Sequence, residues 1–258
     1  IRILENEIDM WFLSILNKSW NKVSKQAPID SKKLIANQLS GLKINEDQVK
    51  IALKDFEKPL QSWSENEKLE FARRLRKLSK PIIIVANKSD IFYVRNNIEK
   101  IKQATTSLVI ACSAEAEIVL REASRKEIID YIPGENNFKI LKQVNEAQIK
   151  ALKFIKEKVL DNYGSTGIQQ TLNKAVFELL DYIAVFPVGT NKLSDLEGNI
   201  LPDCFLMPKN STSLDFAYKI HNDLGSNFIK AINARNKKVI GKDYKLIHRD
   251  IIEIVAKK

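Results

Sequence analysis

The chain has 258 residues, and its 42 lysines and arginines outnumber its 32 aspartates and glutamates, which gives a formal net charge of +10. This length predicts two or three domains, and no stretch approaches the roughly 20 apolar residues that a membrane-spanning helix requires. The two cysteines, Cys112 and Cys204, lack the spacing of a zinc site or a disulfide framework. We therefore expect a cytoplasmic protein without a membrane segment, a signal peptide or a metal site. The charge favours RNA as a partner, although lysine-rich surfaces also serve solubility alone.

Residues 1–79 have the apolar spacing of helices. The first helix carries a stripe that we expect to lie in a core, formed by Leu4, Ile8, Trp11, Phe12, Ile15 and Trp20. Two later helices begin with predicted capping boxes, one formed by Asn45 and Gln48 and the other by Ser64 and Glu67. The helix that Ser64 opens has a basic face, which either lies on a phosphate backbone or is simply solvated. Its members are Arg73, Arg74, Arg76 and Lys77.

An unbroken apolar run, residues 82–86, follows these helices and ends abruptly in the polar tetrad Asn87, Lys88, Ser89 and Asp90. The run predicts a strand that is buried on both faces, as in a parallel sheet flanked by helices. In open α/β sheets, ligands bind at the carboxyl ends of the strands. The polar tetrad is therefore expected where a small molecule would bind.

The next segment repeats this pattern. Residues 91–105 have helical spacing, and residues 107–112 predict a second buried strand, which ends in Ser113, Ala114 and Glu115. A strand, a helix and a second strand make one right-handed βαβ unit, so both polar ends are expected at the same edge of the sheet.

The two polar ends fit the NKxD and SA(K/E) motifs of GTP-binding proteins. Guanine presents two adjacent donors, N1–H and the 2-amino group, and the carboxylate of Asp90 can accept both. Adenine lacks this pair, and sites built on such bonds can reject the wrong partner by about 10⁴-fold. The Lys88 stem can cover one face of the base, the Asn87 amide can tie the two loops, and the SA(K/E) motif places a backbone N–H on the guanine oxygen. The alternative is two ordinary strand-to-helix turns, in which Ser113 only caps the next helix.

The remaining segments predict helices and then a small α+β domain. Helices are expected over residues 117–131, 145–163 and 168–180. Strands are expected over residues 182–188, 204–207, 228–232 and 251–255. A polar connection that contains Asp195 separates the first two strands, and a helix over residues 213–224 is closed by Gly225 at its C′ position.

The helix of this small domain resembles the TGS domain, a ubiquitin-like β-grasp module. The pattern D-x-A-x-x-I-H-x-x-L-G is matched at Asp215, Ala217, Ile220, His221, Leu224 and Gly225. Arg249 stands where the family usually has glycine, so the last turn is expected to differ in backbone geometry. We expect a structural or RNA-facing role for His221 and a polar surface position for His248.

Together, the two base motifs and the TGS pattern resemble the YchF branch of the Obg-like GTPases. The resemblance implies an α/β fold, consisting of a partial P-loop NTPase G domain with a helical insertion and a C-terminal β-grasp domain. The corresponding domains are residues 1–79, 80–180 and 181–258. Lys88 and Asp90 are both present, which implies similarity to the guanine-preferring, archaeal-type members.

One part of the family pattern is missing, because no GxxxxGK[ST] phosphate loop occurs in the sequence. The Gly241-Lys242 pair is followed by Asp243 and lies in the TGS part. We expect the phosphate loop, the switches and the Mg²⁺ ligands to precede Ile1. The 258 residues alone are therefore expected not to hydrolyse GTP, and no catalytic residue or metal ligand is assigned within them.

The resemblance implies a GTPase that acts as a translation-associated switch, with the ribosome or RNA bound through the helical and TGS domains and with GTP as cofactor. We expect a monomer. The alternative is a non-enzymatic RNA- or ribosome-binding module with a vestigial nucleotide site. A different TGS-bearing enzyme, such as threonyl-tRNA synthetase or a guanosine-tetraphosphate synthetase, lacks the NKxD and SAE pair.

Overall fold

The computed structural model describes residues 1–25, 28–91, 93–189, 193–194 and 198–257. The chain forms two compact units, of which the first comprises Ile1–Ile118 with Glu146–Tyr163 and the second Val119–Asn145 with Gly164–Lys258. The expected boundaries at residues 79 and 180 remain predictions. None of the helices described in these ranges has the length and apolarity needed to cross a membrane.

The first unit begins with helices that surround one aromatic-rich core. The helices are α1 (Arg2–Asn17), α2 (Trp20–Ser24), α3 (Pro28–Gln38), α4 (Glu46–Ala52) and α5 (Glu65–Ser79). Short 3₁₀ turns, Ser40–Leu42 and Leu60–Ser62, lie between them. The rings of Trp20, Trp63 and Phe71 pack against one another with centroids 5.4–6.5 Å apart.

Both predicted capping boxes are confirmed. The Gln48 N–H donates to Asn45 Oδ1 (2.9 Å) and the Asn45 N–H donates to Gln48 Oε1 (3.1 Å) at the start of α4. Ser64 and Glu67 make the same exchange at the start of α5. These bonds satisfy N–H groups that a helix leaves unpaired at its first turn.

The predicted core stripe of α1 is partly wrong. Phe12 and Trp20 are buried, but Leu4 is 58% exposed and Trp11 is 50% exposed. The buried face of α1 includes Asp9 instead, because this carboxylate is paired with α5.

The predicted basic face of α5 is also corrected. Arg76 is buried, and its Nε donates to Asp9 Oδ1 (3.0 Å), while Arg73 Nε donates to Asp9 Oδ2 (3.2 Å). Arg74 pairs with Asp55 (3.0 Å) and lies over the Phe56 ring. Three of the four cations are thus engaged within the unit, which removes the support for a phosphate-binding face on this helix.

The βαβ unit follows in the first unit. It consists of β1 (Ile83–Ala86), α6 (Val94–Ala104) and β2 (Leu108–Ala111), and α7 (Ala114–Arg125) follows it and begins in the first unit. The two strands are parallel, with Ile83 opposite Leu108 and Ala86 opposite Ala111. Further along the chain, α8 (Glu146–Ile155) continues through the π-helical segment Lys156–Leu160 into α9 (Asp161–Tyr163).

The prediction that β1 is buried on both faces is wrong. None of its four residues is fully buried, and Val85 is 41% exposed. Among the described residues, β1 pairs only with β2, and α6 packs against β2. The side chains of β1 are therefore all apolar but only partly buried by the described residues.

The second unit contains a short hairpin that sequence analysis did not predict. The expected helix over residues 117–131 ends at Arg125, and β3 (Ile129–Asp130) pairs antiparallel with β4 (Lys139–Ile140). Then α10 (Ile168–Asn173) continues into the π-helical segment Lys174–Leu179. Two-residue strands carry almost no periodic signal, which explains the error.

The rest of the second unit is a mixed sheet with a helix on one face. Its elements are β5 (Tyr182–Val188), β6 (Phe205–Pro208), α11 (Ser213–Ile220), α12 (Asn222–Ser226), β7 (Phe228–Asn233), β8 (Lys238–Ile240) and β9 (Asp250–Ala256). Among the described residues, five strands lie in the order β6-β5-β9-β7-β8, and β5 and β9 run parallel. Val185, Phe216 and Ile252 lie in its core. The polar connection is present between β5 and β6, but Asp195 lies outside the described residues.

Gly225 departs from its predicted role, whereas His221 has the structural role that was one of its two expected roles and His248 is exposed as expected. Gly225 lies inside α12 instead of closing a helix with left-handed backbone, and a Cβ there would lie 2.3 Å from the Tyr218 ring. His221 separates α11 from α12, and its Nδ1 accepts the Asp223 N–H (3.2 Å) as an N-cap. His248 Nδ1 accepts the Ala184 N–H of β5 (3.2 Å), so it supports the sheet. Arg249 has a φ of 68°, the left-handed backbone that glycine adopts freely.

Candidate functional site

The two polar ends lie together where β1 and β2 end. The Cys112 N–H donates to the Ala86 carbonyl (2.9 Å) and extends the parallel ladder by one step. The Ser89 N–H then donates back to the Cys112 carbonyl (2.9 Å). These two backbone bonds hold the loop after β1 against the loop after β2, so the residues of both motifs occupy one site in the first unit.

The side chain of Asn87 joins these loops. Its Oδ1 accepts the Lys88 N–H (2.8 Å) within its own loop and the Ala114 N–H (3.1 Å) from the other. Ala114 is the first residue of α7, so this bond also satisfies one of the free N–H groups at the start of that helix. The structure therefore contains the tie between loops that was expected of Asn87.

The carboxylate of Asp90 is held by the second motif. The Ser113 hydroxyl, which is 1% exposed, donates to Asp90 Oδ1 (2.8 Å). Among the described residues, no hydrogen bond reaches Asp90 Oδ2. The Ser113 oxygen also accepts the Ala116 N–H (3.4 Å) and thereby caps α7. One hydroxyl thus orients the carboxylate and starts the helix.

Lys88 and Glu115 present exposed side chains at the same site. Lys88 has a φ of 64°, and its carbonyl accepts the Ile91 N–H (3.2 Å) in the turn that follows. Left-handed backbone at a residue with a Cβ costs on the order of 1 kcal/mol and is concentrated at functional sites. Glu115 lies in the first turn of α7, where a negative charge is favoured by the helix dipole.

This arrangement can recognise a planar edge with two neighbouring donors. The two oxygens of Asp90 offer lone pairs beyond the one that Ser113 occupies, since each carboxylate oxygen can accept two hydrogen bonds. Among the backbone donors of this site, the Ala114 N–H is the candidate to bind a carbonyl oxygen of a ligand, and in this structure it is bonded to Asn87. An acceptor ligand would share this N–H with Asn87.

Ser89 has a role at the site that sequence analysis missed. Its side chain is buried, and its backbone N–H makes the bond to Cys112 that holds the loops together. Any residue other than proline can donate such a bond, so the sequence at this position carries no signal for it.

Metal ligation has no support in the described part of the chain, where no group of three or more histidines, cysteines, aspartates or glutamates could hold an ion. Cys112 is buried and Cys204 is exposed, and neither forms a disulfide bond. The Mg²⁺ expected with a nucleotide is assigned to ligands that precede Ile1 and remains a prediction.

Two families match the chain. Residues 85–190 match "Obg-like GTPase YGR210-like, G4 motif-containing domain". Residues 196–256 match the TGS domain. The first match begins within β1 and includes both polar loops of the site, and the second includes the helix of the β-grasp sheet.

Individual relatives agree with these matches. The chain is 46% identical over 262 residues to the uncharacterized GTP-binding protein MJ1332 of Methanocaldococcus jannaschii, and it spans 99% of its own length but 66% of that protein. The structure is similar to the crystal structure of a GTP-binding protein from Pyrococcus horikoshii, with a TM-score of 0.75 and 39% sequence identity. The match covers the whole of this chain and 71% of that protein's chain. The YchF GTPase of Schizosaccharomyces pombe gives a TM-score of 0.53 over 65% of its chain at 15% identity, a likeness of fold alone.

Proposed function

The chain belongs to the Obg-like GTPases that carry a TGS domain, and from this premise we propose that it binds the guanine base of GTP and that the whole protein is a GTPase that acts as a translation-associated switch. The fold class predicted from the sequence, a G-domain-like α/β part followed by a TGS domain, is confirmed. The proposed base-binding residues are Asn87, Lys88, Asp90, Ser113, Ala114 and Glu115.

The observation that carries the proposal is the hydrogen bond from Ser113 to Asp90. It fixes the carboxylate beside the first turn of α7, where two acceptor oxygens can meet the N1–H and 2-amino groups of guanine. Each such charge-assisted bond contributes about 1.5–3 kcal/mol. The Ala114 N–H would meet the guanine carbonyl oxygen, and the Lys88 stem would cover the ring.

The test is a titration of the full-length protein with GTP, ATP and XTP. Asp90→Asn replaces one acceptor by an amide donor, which suits the 2-oxygen of xanthine. We expect this variant to lose GTP affinity by about 100-fold or more, which corresponds to the two bonds, and to bind XTP better than GTP. Glu122→Gln is the matched control, because it removes an exposed carboxylate of α7 that lies outside both motifs and should leave the base preference unchanged.

The alternative is a vestigial nucleotide site in an RNA- or ribosome-binding module. Unchanged base preference in Asp90→Asn, or absence of GTP binding by the full-length protein, would favour that alternative. Its support is the net charge of +10, which suits a polyanionic partner. The ribosome or RNA as partner, the cytoplasmic location and the monomeric state are parts of the proposal.

Hydrolysis is proposed for the whole protein only. The 258 residues contain no GxxxxGK[ST] loop and, where described, no group of three or more histidines, cysteines, aspartates or glutamates that could hold a metal ion. GTP supplies the phosphoanhydride that is cleaved, and Asn87, Asp90 and Ser113 orient its base without touching that bond. We expect phosphate release from GTP by the full-length protein and none by residues 1–258 alone. Turnover by the 258-residue piece would contradict this assignment.

A further inference from the structure

We propose that a lysine-rimmed groove in the first unit binds single-stranded RNA. The groove has a volume of about 700 Å³ and is lined by the beginning of α3, the end of α4 and the segment that leads to Trp63. We call it the lysine groove. It lies among the helices that precede β1, and none of the base-site residues lines it.

The rim of the lysine groove is strongly cationic. Lys32, Lys50, Lys54 and Lys58 line it, against a single acidic residue, Glu57. Lys58 pairs with Glu67 (2.9 Å), whereas the other three lysines form no ion pair with any described residue. The arginines of α5, by contrast, are neutralised by Asp9, Asp55 and Glu70. Three lysines without an ion pair to a described residue are therefore grouped at the groove, whereas three of the four cations on the basic face of α5 are paired.

The floor of the lysine groove is apolar and aromatic. Leu53, Leu60 and Trp63 contribute to it. The Trp63 Nε1–H donates to the Lys58 carbonyl (3.0 Å), and the Trp63 ring stacks on Phe56 with centroids 4.3 Å apart. Trp63 is itself buried and supports the half-buried side chains of Leu53, Phe56 and Leu60, which form the accessible part of the floor. A planar apolar group can pack against these three side chains beneath the lysine rim.

Cations around an apolar, aromatic floor match the chemistry of a single strand, whose phosphates follow the charges while its bases pack on the floor. An acidic peptide would use the lysines and leave the floor without a planar partner. A free mononucleotide would use the floor and only part of the rim. The inference rests on the RNA-binding part of the proposed function and is independent of guanine recognition by Asp90.

The experiment measures binding of a fluorescein-labelled 12-nucleotide RNA of mixed sequence to the full-length protein by anisotropy, from 50 to 300 mM salt. The groove variant combines Lys32→Gln, Lys50→Gln and Lys54→Gln. We expect it to bind at least tenfold more weakly, and the slope of log K against log salt to fall in magnitude by about 2, since each phosphate contact contributes about 0.7. The control variant combines Lys18→Gln, Lys77→Gln and Lys150→Gln, which are exposed lysines of the same unit outside the groove. It loses the same charge and should keep its affinity within about threefold.

The outcomes separate the inference from the proposed function. If the groove and control variants lose affinity equally, the groove assignment fails while RNA binding stands. If the unaltered protein binds GTP but no RNA, both the groove assignment and the RNA part of the proposed function fail, while guanine binding stands. Equal binding of a 12-residue polyglutamate peptide, or of UMP alone with the same lysine dependence, would overturn RNA as the occupant. GTP affinity and the thermal midpoint of the groove variant should match those of the unaltered protein, because Lys50 and Lys54 are exposed and Lys32 is only partly buried.

Discussion

Ser113 combines two roles that the sequence presents as alternatives. Its hydroxyl hydrogen is given to Asp90, as a base-reading motif requires, and its oxygen accepts the Ala116 N–H, as a helix cap requires. A hydroxyl can do both because it has one donor and two lone pairs. The two interpretations of residues 113–115 therefore do not exclude each other, and the cap itself fixes the orientation of the carboxylate.

Removal of this hydroxyl should affect recognition and stability together. We expect Ser113→Ala to lower the free energy of unfolding by about 1 kcal/mol through the lost cap and to weaken GTP binding by about five- to tenfold, equivalent to one hydrogen bond. The informative measurement is the preference for GTP over ITP, which lacks the 2-amino group. A carboxylate that is no longer oriented should discriminate less between the two.

The ITP comparison distinguishes orientation from simple destabilisation. A variant that is only less stable would lose affinity for GTP and ITP by the same factor. Ser113→Thr keeps the hydroxyl and should keep the preference for GTP. An unchanged GTP-to-ITP ratio in Ser113→Ala would show that the Ser113–Asp90 bond does not contribute to recognition.

At the scale of single elements, the sequence predicted features that depend on neighbouring residues, such as helix caps and strand bounds. It did not predict features that depend on tertiary contacts, such as the burial of a strand. The caps at Asn45 and Ser64 were predictable because both partners lie within four residues. The strand β5 was found with its exact bounds because seven apolar residues precede a clear break. The burial of β1 was not predictable, since it depends on which strands and helices surround it and not on its own composition.

The residue types of the proposed base site could be predicted from the sequence, but their contacts could not. Spacing placed Asp90 and Ser113 after neighbouring parallel strands, and topology alone then brings them to one edge. It could not show that the Ala114 N–H is bonded to Asn87, because that bond depends on the exact path of both loops. The pairing of Asp9 with Arg76 was equally hidden, since 66 residues lie between them.

The capping box of α5 predicts a specific pH dependence. The side chain of Lys58, then the backbone N–H and hydroxyl of Ser64, lower the pKa of Glu67 from 4.5 to about 2. A carboxylate with a depressed pKa in the folded state stabilises the fold at pH values above its unfolded pKa. That stabilisation should be complete above pH 4.5 and disappear as the pH falls from about 4.5 to about 2.

The measurement is the thermal midpoint of the protein and of Glu67→Gln between pH 7 and pH 2. The unaltered protein should have the higher midpoint at neutral pH, and the difference should shrink within that window. Glu7→Gln removes an exposed carboxylate of α1 and should show no comparable change. A midpoint difference that stays constant from pH 7 to pH 2 would mean that the ionised form of Glu67 is not what stabilises α5.

At the scale of the whole molecule, each compact unit has a core of its own. The core of the first unit includes Phe12 and Phe71 of its N-terminal helices, and the core of the second includes Phe216 and Ile252 of the β-grasp sheet. The buried ion pair of Asp9 with Arg76 belongs to the first unit, and the close packing of Gly225 on Tyr218 belongs to the second. One substitution can therefore be chosen to report on each unit.

We expect the two substitutions to act independently. Asp9→Ala leaves the buried Arg76 without its partner and should cost about 3–5 kcal/mol in the first unit. Gly225→Ala brings a Cβ against the Tyr218 ring and should cost about 1–3 kcal/mol in the second. The two substitutions lie in different compact units and share no described partner, and effects of independent sites add to within about 0.5 kcal/mol. The double variant should therefore show their sum.

The three tryptophans, Trp11, Trp20 and Trp63, all lie in the first unit, so tryptophan fluorescence during urea unfolding should follow that unit. Its midpoint should shift in Asp9→Ala and stay unchanged in Gly225→Ala. Hydrogen exchange of β9 should show the reverse, because β9 belongs to the second unit. The control makes Gly225→Ala in a Tyr218→Ala background. Removal of the ring leaves room for the added methyl group, so Gly225→Ala should cost little further stability there. A shift of the fluorescence midpoint by Gly225→Ala would show that the two cores unfold as one cooperative structure.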